Sequence, residues 1–176
     1  MFAWLVRLTL GAGAMLFAVA ALAALAGVRI NTTASMPLGL YAPDGAPLQR
    51  GSIVAACPPA TLPAVALALE RGYLPGGSCP AGNAPLLKRV AAVAGDSVEF
   101  TSTAVVVNGR GVAGTAALQR DGEGRSLPRP PAGPAAVPAG YVLLLAPDSP
   151  ASFDSRYIGL VPLHSVRATV RPLYTW

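Results

Sequence analysis

Pro85-Leu86-Leu87-Lys88-Arg89-Val90-Ala91-Ala92-Val93 is the stretch on which the reading of this chain turns. Leu86 to Val93 reads as a strand with one basic residue on each face, because successive side chains along a strand point to opposite sides. Of the 13 lysines and arginines in the chain, Lys88 alone is a lysine. Arginine stays protonated in a protein, whereas a desolvated lysine loses its proton near neutral pH. A single lysine held among Leu86, Leu87 and Val90 is therefore a candidate general base. The plainer alternative is that an arginine-rich composition left one lysine by chance.

The segments around it change period in the same way. Gly51 to Cys57 reads as a strand, as do Ser97–Thr101 and Ala104–Val107, with Asn108-Gly109 as a hairpin signal after them. Gly140–Leu145 reads as a buried strand, and Val166–Arg171 alternates with Arg167 and Arg171 on one face. Short strands punctuated by 19 glycines and 18 prolines point to an antiparallel β domain. One short helix fits inside it, at Ala64–Arg71. Asp121 to Pro138, rich in Pro, Gly and Arg, is expected to be a mobile surface loop. No internal repeat is visible.

The chain has 176 residues, enough for one domain and an appendage. Its mean hydropathy of +0.51 is high for a soluble domain, and its charged fraction of 12% is about half the usual value. Much of the excess lies near the N-terminus. Leu8 to Val28 carries no charge, and as a helix it spans about 31 Å, the thickness of a bilayer core. Arg7 and Arg29 bracket it, and Trp4 suits an interface. The expected organisation is a cytoplasmic N-terminus over 1–7, a transmembrane anchor over 8–28 and an exported domain over 29–176. Ala24-Leu25-Ala26 also imitates a signal-peptide cleavage site, so a cleaved leader is the competing reading.

Cys57 and Cys79 read as a disulfide in an exported domain, closing an insert over 57–84, with two free buried thiols as the cytosolic alternative. No metal site is expected, since His164 is the only histidine and lies far away in sequence. The net charge of +5 raises the question of nucleic acid. The arginines are scattered, without a basic helix or interleaved aromatics, and attraction to anionic lipid headgroups is the simpler reading.

Ser35 lies in Thr32-Thr33-Ala34-Ser35-Met36-Pro37-Leu38-Gly39-Leu40-Tyr41, seven residues beyond the apolar run. That tether reaches at most about 25 Å, so Ser35 stays close to a membrane that holds the run. Pro37 restricts Met36 to an extended conformation and helps to shape the turn. An ordinary serine before a proline turn is the plainer reading. As a nucleophile Ser35 needs a base. His164 follows Pro162-Leu163 without an evident carboxylate partner and reads as a loop or strand-edge residue, which leaves Lys88. The third segment is Ser152-Phe153-Asp154-Ser155-Arg156-Tyr157-Ile158-Gly159. Asp154 and Arg156 share a face at strand spacing and form a pair that braces the segment, while Ser152 is placed to orient a neutral lysine amine.

These three segments, in this order behind one apolar N-terminal run, resemble the type I signal peptidase (leader peptidase) family. Ser35-Met36-Pro37 resembles its nucleophile box, Lys88-Arg89-Val90 with Gly95-Asp96 its general-base box, and Asp154 to Gly159 its C-terminal box. The resemblance is closer still to the TraF-like branch of conjugative transfer. It rests there on Ser35 to Tyr41, on the insert from Cys57-Pro58-Pro59 to Cys79-Pro80, and on Ser152 to Tyr157. Ala94 departs from the family's usual proline before Gly-Asp. The resemblance implies Ser35 as nucleophile, Lys88 as base, and Thr33 with the Ser35 N–H as oxyanion donors. Ser152 would orient Lys88, and Asp154 with Arg156 would support the site.

The implied fold is mainly β, a transmembrane helix followed by an antiparallel catalytic domain with one short helical insert. The implied activity is a Ser/Lys endopeptidase without a cofactor, working at the inner membrane with its catalytic domain on the periplasmic side. Its partners would be the lipid bilayer and a membrane-associated precursor, a conjugative pilin or a secretory preprotein, with hydrolysis or cyclisation as outcomes. A housekeeping signal peptidase and a non-catalytic component of a conjugation or secretion complex remain as alternatives. A self-cleaving repressor of the LexA type shares the chemistry but lacks an anchor.

Overall fold

The computed structural model describes residues 2–176, the side chains of 2, 3, 5, 6 and 8 excepted. β4 (Leu86–Ala92) is its organising strand. Leu86, Lys88, Val90 and Ala92 are buried, and Arg89 is exposed with its Nη1 donating to the Gly51 carbonyl at 3.1 Å. The alternation follows from the strand's two-residue period, and it delivers the lysine, not the arginine, to the interior. β3 (Ile53–Ala56) pairs with one edge of β4, Val54 opposite Lys88. β9 (Tyr141–Leu145) pairs with the other, Val90 opposite Leu144, with an irregularity in register between Val90 and Ala92.

The remaining strands extend this frame. β1 (Arg29–Asn31), β2 (Gly39–Pro43), β10 (Val161–Pro162) and β11 (Val166–Thr175) complete a seven-stranded sheet in the order β1-β2-β11-β3-β4-β9-β10. A four-stranded sheet holds β5 (Ser97–Phe100), β6 (Val105–Val107), β7 (Arg110–Val112) and β8 (Pro134–Ala136), in the order β7-β6-β5-β8. Every strand pairing among the described residues is antiparallel. Asn108 and Gly109 turn β6 into β7 with φ of 50° and 74°, the left-handed pair that a two-residue hairpin requires. Ala92, Val98, Val105, Val107, Val137, Leu143 and Leu145 bury one core cluster, and Val54, Ala56, Val90, Val142, Leu144 and Val161 a second.

Gly39 begins β2, and a Cβ there would lie 2.1 Å from the Tyr174 carbonyl oxygen. The glycine of the Ser35 motif therefore permits β11 to close against β2, immediately after the loop that carries the serine.

The insert is a short excursion from the sheet. Cys57 and Cys79 form a disulfide, so the free-thiol alternative falls away. Between them α2 (Pro63–Glu70) buries Ala64, Val65 and Ala68, close to the helix expected at 64–71. The segment 121–138 differs from the mobile loop expected. Its end forms β8 against β5, and Arg120 bridges Ser126. The physical reason is the Asp121 carboxylate, which collects the backbone N–H groups of Glu123 and Arg125 and the Arg125 guanidinium.

α1 (Phe2–Leu25) covers most of the expected 8–28 segment and begins before it. Among the described residues no helix is long and apolar enough to cross a membrane, and the expected transmembrane span is not met there. Leu10, Met15, Leu16, Phe17, Val19, Leu22 and Leu25 nonetheless stand exposed on α1.

Candidate active site

Ser35 sits in the loop between β1 and β2, and one side chain shapes that loop. Asn31, buried at the end of β1, donates from Nδ2 to the carbonyls of Thr33, Met36 and Pro37, each at 3.0 Å. Its Oδ1 accepts from the Thr33 N–H at 3.2 Å and the Thr33 hydroxyl at 2.9 Å. The Tyr41 hydroxyl donates to the Pro37 carbonyl at 2.9 Å from β2. The loop is thus wrapped around an amide that satisfies polar backbone on both sides of Ser35. Ser35 Oγ lies 3.2 Å from Thr33 Oγ1. The single Thr33 proton is committed to Asn31, so the serine is the donor between them.

Lys88 is 3% exposed. Burial pulls its pKa from 10.5 down to about 8, against the Asp154 carboxylate, which raises it, and with the Arg156 guanidinium, which lowers it further. Ser35 and Lys88 line one cleft of about 370 Å³, with Thr33 and Ser152 on the same walls. The hydrogen bond that Ser35 makes runs to Thr33, not to Lys88. Ser152 is buried, and its hydroxyl has no hydrogen-bond partner among the described residues.

Asp154 and Arg156 are fully buried and joined at 2.9 Å. Asp154 caps the one-turn helix α3 (Ser155–Ile158), accepting from the Arg156 N–H at 3.0 Å, and also takes the Ala146 N–H at 2.9 Å. Arg156 donates to the carbonyls of Ser149 at 2.7 Å, Pro150 at 3.1 Å and Ser152 at 3.2 Å. The pair therefore gathers the turn 146–152 and fixes the backbone that carries Ser152 into the cleft. The expected side-by-side strand pair is instead a helix cap with its neighbour, because Asp at an N-cap offers its oxygens to the next backbone N–H groups. Ser155 adds a hydroxyl that accepts from the Leu144 N–H of β9 at 2.9 Å.

Ser35, Lys88, Thr33 and Ser152 are thus brought to one cleft, with Asp154 and Arg156 behind it. His164 lies exposed in the turn Leu163–Ser165, on a different depression beside Cys57 and Pro58. Sequence reasoning missed Asn31, Tyr41 and Ser155. A lone amide, phenol or hydroxyl carries no periodic signal, and only the folded loop reveals which carbonyls it must satisfy.

Ser35 and the desolvated Lys88 thus share a cleft built on antiparallel sheets. The chain belongs to the family described as signal peptidase, peptidase S26, which matches residues 1–176. It is 40% identical over 167 residues to the plasmid transfer protein TraF of Escherichia coli, covering 95% of this chain and 93% of that one. It is 39% identical over 168 residues to the conjugal transfer protein TraF of Agrobacterium tumefaciens, covering 94% and 93%. A crystal structure of a signal peptidase I from Enterococcus faecalis is similar at a TM-score of 0.40 and 20% identity, over 70% of this chain and 97% of that one.

Proposed function

We propose that the protein is a serine endopeptidase in which Ser35 is the nucleophile and Lys88 the general base, acting on an exported precursor, a conjugative pilin precursor first of all. The observation that carries this is the shared cleft of Ser35 and a buried lysine whose ammonium is disfavoured by desolvation. The kinship to plasmid and conjugal transfer proteins supports the choice of substrate.

Neutral Lys88 takes the Ser35 proton after the serine hydroxyl turns from Thr33. Ser35 Oγ then forms a bond to the scissile carbonyl carbon. The oxyanion meets the Ser35 N–H, and the Thr33 hydroxyl joins it by exchanging its bond to Asn31. Collapse breaks the peptide C–N bond, and the Lys88 ammonium returns its proton to the leaving amine. Water resolves the acyl-enzyme to a linear product, and the precursor's own amine resolves it to a circular one. The Ser152 hydroxyl, buried in the same cleft with no partner at rest, is free to accept from the lysine amine and orient it during the reaction.

The exposed apolar side chains of α1 support attachment to a bilayer, with the β domain at the periplasmic surface of the inner membrane. Domain limits of 1–7, 8–28 and 29–176 are part of the same reading. The test is reconstitution of the full chain in liposomes with a conjugative pilin precursor, read by intact mass. A shortened product that disappears in Ser35→Ala supports the reading, and a mass lower by one further water marks cyclisation. A precursor left intact by the wild type, or cut equally by Ser35→Ala, contradicts it.

A further inference from the structure

The cleft that holds Ser35 and Lys88 shares a wall with a second cavity. Tyr73, Ala151 and Phe153 line both the cleft and a neighbouring space of about 290 Å³, whose far side is made by Leu118, Leu127 and Tyr157. Phe153 stands between two other rings, with centroids 5.5 Å from Tyr73 and 5.3 Å from Tyr157. Tyr73 and Phe153 also pack on Leu74 and Leu86, which line the cleft themselves. The wall is therefore two aromatic side chains backed by empty space.

Tyr73 is tied down from outside the site. Its hydroxyl donates to the Asp121 carboxylate, 48 positions away, and Arg71 Nη1 donates to the same phenol oxygen at 3.2 Å. Arg125 binds Asp121 at 2.6 Å and lies over the Tyr73 ring, 5.8 Å from its centroid. The tie persists at neutral pH, since the Tyr73 hydrogen bond and then Arg125 hold the Asp121 carboxyl well below the usual carboxylate range. Nothing in the serine–lysine chemistry uses these groups. Their effect is to fix a ring that borders both cavities.

We propose that the Tyr73–Phe153 wall sets the upper size of the substrate side chain accepted at this end of the cleft, with Asp121 as the positioning residue that keeps the wall shut. This rests on the peptidase reading above. An aromatic wall with room behind it rejects a bulky side chain by steric contact, and its removal converts that rejection into apolar contact.

The experiment uses the full chain in detergent and a proteome-derived peptide mixture, with cut sites read by mass spectrometry. Matched synthetic peptides follow, carrying alanine or phenylalanine at each position flanking the cut. In Phe153→Ala the ratio of kcat/KM for the phenylalanine peptide over the alanine peptide rises about tenfold or more at one flanking position, the scale on which apolar pockets discriminate. Asp121→Asn and Tyr73→Phe, which keep the ring and its shape, raise the same ratio less and decide the matter if Phe153→Ala is unfolded by circular dichroism. A purely structural wall lowers both rates together, and an unchanged ratio in the folded variants overturns the proposal. The peptidase reading fails separately, through absence of wild-type cuts or their persistence in Ser35→Ala.

Discussion

The ammonium of Lys88 is the most consequential group in the molecule. Its folded-state pKa of about 8 lies below the ordinary 10.5 because a charge in this cleft loses more hydration than Asp154 returns to it. The folded protein therefore binds this proton less tightly than the unfolded chain. The penalty is absent above the unfolded pKa, grows as pH falls from 10.5 to about 8, and is constant below. At neutral pH it amounts to about 3 kcal/mol, from the shift alone. Lys88→Met is accordingly expected to abolish cleavage and to raise the urea midpoint at pH 7, with a smaller gain at pH 10. Lys88→Arg keeps the charge and is expected to be equally inactive. An active Lys88→Arg enzyme, measured on the pilin precursor, would remove deprotonation from the mechanism.

Two short segments carry Ser35 and Ser152 to the cleft, and each leans on a single polar side chain. Asp154 caps α3 and neutralises Arg156, and Asp154→Ala leaves a guanidinium buried without its counter-charge. Breaking such a pair costs about 3–5 kcal/mol. Thermal unfolding is expected to show that loss, together with loss of cleavage as the Ser149–Ser152 turn is freed; a melting curve like the wild type's would mean that Arg156 does not depend on the pair. Asn31 plays the equivalent part for the serine loop. Asn31→Ala deprives three carbonyls and Thr33 of their partner, at about 1–3 kcal/mol. Its kcat is expected to fall further than the stability change explains, and unchanged kcat would show that the loop holds itself.

The strands are legible in the sequence because alternation and β-branched runs are periodic, and Lys88 stands out as the only lysine, in such a run. Asn31 was not legible, since its role depends on carbonyls that converge only after the chain turns at Pro37. β8 was hidden within a proline- and glycine-rich stretch that reads as loop. It becomes a strand because β5 offers an edge, a tertiary cause that local propensity does not carry.

At the scale of the whole molecule, the insert and the seven-stranded sheet must stay together for the cleft to exist. The Cys57–Cys79 bond, 22 positions apart, closes the insert whose Tyr73 to Gly76 line that cleft. Chain entropy values such a loop at about 3 kcal/mol. Reductant is expected to add about 2 Da to the intact mass, as two thiols form. It is also expected to lower the melting temperature and slow cleavage; a melting temperature indifferent to reductant would make the bond dispensable. The apolar exterior of α1 is expected to keep the full chain with vesicles on flotation.

The central claim is that an unprotonated amine at position 88 activates the hydroxyl at position 35. The most direct measurement is kcat/KM on the precursor as a function of pH, since it reports the free enzyme's base. Activity is expected to climb tenfold per pH unit at low pH and to level off near the lysine's value of about 8. A profile flat from about pH 6 to 10 would contradict it.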